Sequence, residues 1–326
     1  MTLDAKILST LRGAGDGCVS GAELSHQLGI SRTAVWARIQ ELRSLGYEIE
    51  ASPHHGCRLR AVPDVLHADD LMSLVNGNHI IGRDIQVFQE TNSTNDVVER
   101  LARDGVAEGA VVFAETQKRG RGRLGRHWVS PPRKGLWFSV LLRPNLQPPQ
   151  ATQLTVAAAT ALARTIHEHC GLQPSVKWPN DILLQDRKVA GVLTELAAEI
   201  DCIRYVILGI GINVNFSPSD FPAELRAVAT SLQIEAGHAF RRAELAAALL
   251  RELDRDYDRV RRREFGRVAD EWAAHCATLG QRVRIRIGDR AVTGRAEALD
   301  DAGALLLRTD HGHLERIVGG DVTLEK

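Results

Sequence analysis

No stretch of this 326-residue chain is apolar for long enough to span a bilayer, and its N-terminus lacks the basic-then-apolar pattern of a secretory signal. A membrane protein is therefore not expected. The five cysteines (Cys18, Cys57, Cys170, Cys202 and Cys276) are scattered, odd in number and without a C-x-x-C pair. That favours reduced thiols in the cytoplasm over a disulfide or zinc framework. Charge of one sign is missing too: Lys+Arg 41 and Asp+Glu 41 give a formal net charge of 0. There is no uniformly basic coat, so any nucleic-acid contact must come from a local patch. No H-E-x-x-H occurs. His167 and His169, two apart on a helix, do not share a face, and His311 and His313 read more simply as loop-edge residues than as a two-ligand site. No protein-built metal cage is expected. An ordinary P-loop is also absent. The length allows two or three domains, and the hydrophobic 44% and charged 25% are ordinary for a globular protein.

What the chain does have is a local excess of positive charge between Glu115 and Ser139. Lys118, Arg119, Arg121, Arg123, Arg126, Arg133 and Lys134 face the single acid Glu115. Unpaired cations are too costly to bury, so this segment cannot be core. Gly120, Gly122 and Gly125 free the backbone for positive φ and close approach to a ligand. A polyphosphate-binding loop and a solvated basic loop both satisfy this composition. The same glycines spell G-x-G-x-x-G after a plausible strand, Val111 to Ala114. However, Pro131 and Pro132 stand where the phosphate-binding helix should begin. Without that helix the dinucleotide fingerprint loses its mechanism and is rejected.

Residues 1–65 carry the pattern of a winged helix-turn-helix. Leu3, Ile7, Leu8 and Leu11 have helical spacing, ended by Gly13-Ala14-Gly15, and Glu23 to Leu28 is a short second helix stopped by Gly29. Ser31 is placed to N-cap a third helix running to Leu45, with Val35, Ile39 and Leu42 as its buried stripe. Residues 47–51, a Pro53-His54-His55-Gly56 turn and residues 57–59 form the expected hairpin wing. Ser31, Arg32, Thr33 and Trp36 then face the major groove, with Arg38 and Arg43 placed for phosphates. Basic and acidic residues balance over this segment, so DNA binding rests on the pattern rather than the charge. A helical domain for protein contact alone is the other reading.

Residues 66–275 form a second domain, opened by Pro63 and the acid-rich run at 67–70. Asp84 to Glu90 alternates as a strand. Ser93-Thr94-Asn95-Asp96 then opens a helix, Ser93 and Asp96 having capping-box spacing. Capping accounts for one of the Ser93 and Thr94 hydroxyls; binding a small polar ligand group is the alternative role. A strand through Val112, the basic loop, a buried strand Gly135–Leu142 and an alanine-rich helix Thr152–Cys170 follow. Val176–Leu184 and Lys188–Leu196 read as two strands around a polar turn, which gathers Lys177, Asn180, Asp181 and Lys188 near one sheet end. Ile203–Leu208 is a further strand running into Gly209–Asn215, and helices near 244–265 and 268–277 close the domain. Arg259 to Arg263 reads as a solvated helix face. The whole is an α+β fold on a mixed sheet. Residues 276–326 alternate as short strands, suggesting a small SH3-like β-barrel.

The run Thr91 to Asn95, the GRGRLGR loop, KWPND, RKVAG and GIGINVN, in this order behind a winged helix, resemble the bifunctional biotin–protein ligase/biotin-operon repressor family. The resemblance covers essentially the whole chain; each motif alone is weak, but five in order are specific. It implies an α+β multidomain protein whose central domain is class II synthetase-like. It further implies ATP- and Mg²⁺-dependent activation of biotin to biotinyl-5′-AMP, then transfer to a lysine of a biotin carboxyl carrier protein. Biotinyl-5′-AMP would also be the corepressor, favouring a homodimer on operator DNA. By resemblance, Ser93, Thr94, Asn95, Gln117, Arg121, Gly122, Arg123 and Lys188 contact biotin. Trp128 and Asn213 meet the adenine side; Lys177, Asn180 and Asp181 match the phosphate end, Asp181 being the one candidate Mg²⁺ ligand. The C-terminal domain, which lacks catalytic residue types, would dock the carrier or support the ATP site.

The chemistry agrees with these assignments. A carboxylate attacking an α-phosphate approaches an anionic centre, so positioning and cationic stabilisation dominate, and Arg121, Arg123, Lys177 and Lys188 fit that demand. The ureido ring needs donors and acceptors on an otherwise apolar ligand, which hydroxyls and Gln117 provide. A mixed anhydride must be kept from water, which a loop ordering over it can do. One departure is visible: Leu124 stands where such repressors often carry another arginine. Two rival readings are a lipoate–protein ligase and a ligand-sensing repressor without transferase activity.

Overall fold

The protein is described by a computed structural model covering residues 1–52, 56–75, 77 and 80–324. It divides into two compact units, residues 1–77 and 78–326.

In the first unit, α1 (Leu3–Gly13), α2 (Gly21–Leu28) and α3 (Arg32–Ser44) are each N-capped by a hydroxyl, from Thr2, Ser20 and Ser31 respectively. Ile7, Leu8, Leu11, Leu24, Val35, Ile39 and Leu42 meet in one core. The wing is β1 (Glu48–Ser52) paired antiparallel with β2 (Gly56–Ala61); the expected turn at 53–55 lies outside the described residues. The sequence boundary at 65 is too early for this unit. α4 (Ala68–Leu74) packs on α1, and Arg12 of α1 pairs with the buried Asp70 of α4. The acidic run read as the opening of the second domain is thus a tie within the first unit.

The second unit is built on a seven-stranded mixed sheet in the order β3-β4-β5-β9-β8-β7-β6. β3 (Asp84–Thr91) runs through α5 (Thr94–Arg103) into a parallel β4 (Ala110–Gln117), and the other pairs are antiparallel. β5 (Gly135–Leu142) is buried along its whole length, and α6 (Thr152–Cys170) has the span expected from its alanines.

Two strand expectations are corrected. Val176–Leu184 is not one strand: it is a hairpin of β6 (Ser175–Lys177) and β7 (Asp181–Leu184) folded around a cis Trp178–Pro179 bond. Proline has no N–H for a ladder, so KWPND becomes the turn. Beyond β8 (Arg187–Ala198), β9 (Ile203–Asn213) does not stop at Leu208 but carries the GIGIN glycines within the sheet.

After α7 (Leu232–Ala236), α8 (Arg242–Arg261) and α9 (Phe265–His275) lie against α6. Arg164 of α6 bonds Glu252 and Asp256 of α8 and Glu271 of α9. Arg259 joins Asp256 at 3.2 Å and Glu271 at 2.8 Å in a half-buried network, while Arg261, Arg262 and Arg263 are exposed as the solvated-face reading expects. Burial raises the Asp256 carboxyl against the pull of Arg164.

The C-terminal strands β10 (Arg282–Ile287), β11 (Arg290–Leu299), β12 (Leu305–Thr309), β13 (Leu314–Ile317) and β14 (Asp321–Leu324) form an antiparallel sheet in the order β13-β12-β11-β10-β14. Among the described residues, no helix is long and apolar enough to cross a membrane.

Candidate active site

Every residue assigned to biotin or nucleotide from the sequence lines one cavity of about 500 Å³ in the second unit. They arrive from five separate segments: Ser93, Thr94 and Asn95 at the start of α5; Gln117 at the end of β4; Arg121, Gly122, Arg123 and Trp128 from the basic loop; Lys177, Asn180, Asp181 and Lys188 from the β6–β7–β8 hairpins; and Asn213 at the end of β9.

One wall is polar and largely buried. Ser93 occupies the N-cap position of α5, but its side chain makes no capping bond, which corrects the capping-box reading. The Thr94 hydroxyl does not cap either: it lies 2.7 Å from Ser139 Oγ, while Thr94 N donates to Gln117 Oε1 at 2.8 Å. Gln117 Nε2 donates to Ser130 Oγ at 3.1 Å, fixing the amide orientation. Asn95 is 4% exposed and donates from Nδ2 to Glu195 Oε2 at 2.6 Å.

The basic loop is ordered, and its cations are more engaged than their clustering suggested. Lys118 N and Arg119 N donate to Thr91 O and Asn92 O, Trp128 N to Gly120 O, and Gly122 N to Arg126 O. Of the three glycines only Gly125 takes a positive φ, next to an exposed Leu124 at φ 56°. Gly120 is needed for close approach instead, since a Cβ there would lie 2.5 Å from Trp128 O. The Arg121 guanidinium is shared by Asp96 at 3.0 Å and Glu195 at 2.9 Å. Arg126 pairs with Asp321 of β14. Arg123 donates to Asn180 Oδ1 at 3.0 Å; burial depresses its pKa, against Asp181 and Asp321, and Arg126 adds to the depression. Lys188 Nζ sits 2.6 Å from Asp181 Oδ1 and 5.3 Å above the Trp128 ring. Arg123, Lys177 and Lys188 therefore all bring cations to the cavity, while Arg121 is held by two carboxylates.

Glycines clear the floor. Strand residues two apart share a face, so Gly209, Gly211 and Asn213 of β9 all point to the cavity. A Cβ on Gly209 would fall 2.4 Å from Asn95 Oδ1, and one on Gly211 2.6 Å from Trp128 Cε2. The Trp128 indole thus rests on backbone, with Trp137 edge-on at 6.3 Å and Phe216 beyond it, Phe216 stacking on Phe221 at 4.7 Å. Phe216, Phe221 and the β14 residues Asp321 and Thr323 also line the cavity and were not foreseen. Glu195 and Ser139 were missed as well. Strand alternation held the signal for Glu195, which shares a face of β8 with the lining residues Gly191 and Leu193.

In the first unit Ser31, Arg32, Thr33 and Trp36 are exposed at the start of α3, as a groove-reading helix requires. Arg38 is tied to Glu41 at 2.7 Å and Asp4 at 3.8 Å. Arg43 donates to Ile49 O and stacks 5.4 Å from Trp36. Both cations are therefore partly spoken for.

Comparison with known proteins agrees with this division. Residues 87–213 match the biotin/lipoate A/B protein ligase family, 278–324 the biotin protein ligase C-terminal domain, and 4–58 a helix-turn-helix domain. The chain is 38% identical over 327 residues to the bifunctional ligase/repressor BirA of Bacillus subtilis, covering 99% of each chain. It is 31% identical over 306 residues to BirA of Escherichia coli, covering 94% of this chain and 92% of the relative. Among solved structures, the biotin protein ligase of Aquifex aeolicus in complex with biotin and ATP superposes with a TM-score of 0.64 at 31% identity, covering 75% of this chain and 99% of that one.

Proposed function

This chain belongs to the bifunctional ligase/repressor branch of the biotin/lipoate protein ligase family, and we propose from that premise that its cavity joins biotin to AMP and then to a carrier lysine. The observation that carries the reading is the convergence of the five sequence motifs on a single cavity with a polar wall, a cationic end and a glycine floor under an indole.

Ser93, Thr94, Asn95 and Gln117 hold the ureido ring by hydrogen bonds, and the apolar strand faces take the rest of the vitamin. Lys188 and Arg123 bring the biotin carboxylate and the α-phosphate together and stabilise the charge that spreads over the phosphate oxygens. Trp128 and Asn213 take the adenine side. Among the described residues no cluster of three or more metal-ligating side chains occurs; Asp181 and Asp321 are both carboxylates at the cationic end, Asp321 being paired with Arg126. Mg²⁺ would enter with the ATP phosphates, Asp181 being a residue that would hold it, and it would supply neutralisation of phosphate charge. The loop from Gly120 to Trp128, anchored at both ends, closes over the mixed anhydride and keeps water from it.

The functional modules are a DNA-binding unit that includes α4, a ligase domain to about residue 275, and a C-terminal domain whose Asp321 and Thr323 support the nucleotide end. In the cytoplasm, biotinyl-5′-AMP would favour a homodimer that binds operator DNA through α3.

Biotin-dependent exchange of pyrophosphate into ATP tests the ligase reading: biotin stimulates exchange and lipoate does not. Stimulation by lipoate alone would transfer the site to the lipoate branch. Gly211→Val is expected to weaken ATP binding by at least about tenfold, because the indole must leave its seat. Calorimetric titration of ATP into wild type and variant checks this, and unchanged affinity would remove Trp128 from the nucleotide side.

A further inference from the structure

The buried polar wall contains a directional chain of hydrogen bonds that ends on a residue outside the cavity. Asn95 Nδ2 donates to Glu195 Oε2 at 2.6 Å. A carboxylate only accepts, so this contact forces the amide nitrogen toward β8 and the amide oxygen toward Ser139. Ser139 Oγ in turn donates its single proton to Asn95 Oδ1. In the 2.7 Å contact between Ser139 and Thr94, the proton must then come from Thr94. Gln117 Oε1, the other acceptor near that hydroxyl, is 3.2 Å away and already takes the Thr94 N–H. The consequence is that Thr94 Oγ1 turns its lone pairs, and no proton, toward the cavity it lines.

We propose that Glu195 is a positioning residue that sets the hydrogen-bond polarity of the biotin pocket, so that Thr94 accepts from a ligand N–H. The proposal rests on the biotin reading of the site. Without the carboxylate, the Asn95 amide can turn over, Ser139 then accepts from it and donates to Thr94, and the Thr94 proton is freed for Gln117 Oε1 or the cavity. A ureido N–H would then meet a hydroxyl whose lone pair is taken up by Ser139 or whose proton faces it. Ser139 is 0% and Asn95 4% exposed, so water does not readily repair the mismatch. Glu195 also holds Arg121 at 2.9 Å, which links the same carboxylate to the first residue of the loop's upper half.

The test separates polarity from charge and from general damage. Pyrophosphate exchange is measured for wild type, Glu195→Leu, Glu195→Gln and Ser139→Ala, with KM for biotin, KM for ATP and the unfolding midpoint for each. Glu195→Leu and Ser139→Ala are expected to raise the biotin KM by roughly 10- to 100-fold and to leave the ATP KM within about twofold. Glu195→Gln, whose Oε1 still accepts from Asn95, should stay within about threefold of wild type. An unchanged biotin KM in Glu195→Leu would overturn the proposal. So would a parallel rise in both KM values, or a defect in Glu195→Gln as large as in Glu195→Leu, which would assign the effect to the Arg121 ion pair. A wild-type protein that shows no biotin-dependent exchange would instead remove the biotin reading itself, before any variant is compared.

Discussion

Lys188→Ala is expected to lower the rate of biotinyl-5′-AMP formation by roughly 100- to 1000-fold, the range for removing a preorganised group that stabilises developing charge. Two effects add. The ammonium that faces the cavity is lost, and Asp181, 2.6 Å from it, becomes an unpaired carboxylate beside the incoming phosphates. The second effect is read in a double-mutant cycle: Asp181→Asn should lower the rate less in the Lys188→Ala background than in wild type, because there it also removes an unpaired charge. Single-turnover formation of the adenylate, followed by quench and separation, reads both. A Lys188→Ala rate within about twofold of wild type would contradict the assignment.

The largest expected effect on stability is at a buried ion pair that does not itself line the cavity. Arg242 of α8 is 0% exposed and meets Glu115 of β4 with two bonds, 2.7 Å and 3.2 Å, and its Nη1 also donates to Gly135 O at 3.2 Å. Replacing one partner of a buried pair strands the other charge in low dielectric. Arg242→Met should therefore cost about 3–5 kcal/mol of folding free energy, whereas Arg242→Met with Glu115→Leu should be much closer to wild type. Urea denaturation with the transition midpoint as readout distinguishes them. Equal loss in both would show that Arg242 acts through packing and not through its charge. The pair lies at the root of the basic loop, two residues before Gln117, so it also holds that end of the wall in register.

The difference between what could and could not be read from the chain follows from the physics of each signal. Helices with a clear cap and buried stripe, such as the one N-capped by Ser31, were legible because their pattern is local. The residues that the family resemblance assigned to ligands do line one cavity, but that list came from the resemblance and not from spacing alone. The KWPND turn was not, because an apolar run on both sides of Pro179 has the texture of one strand and only the pairing of β6 with β7 reveals the reversal. That the glycines of β9 belong within the sheet was not legible, since their reason, room for Asn95 and Trp128, is tertiary. Partners of charges were the least legible: Glu115 appeared as the acid of a basic loop and proved to be the buried mate of a residue 127 positions away. Arg121 looked like a free cation, and two carboxylates from α5 and β8 hold it.

The central claim is that this cavity activates biotin and hands it to a protein lysine. Incubating the protein with ATP, Mg²⁺, biotin and a biotin carboxyl carrier domain, then weighing the carrier by mass spectrometry, tests it most directly. The account predicts a carrier heavier by one biotinyl group on its acceptor lysine, only when ATP is present. A carrier of unchanged mass, from protein that still binds biotin, would contradict it.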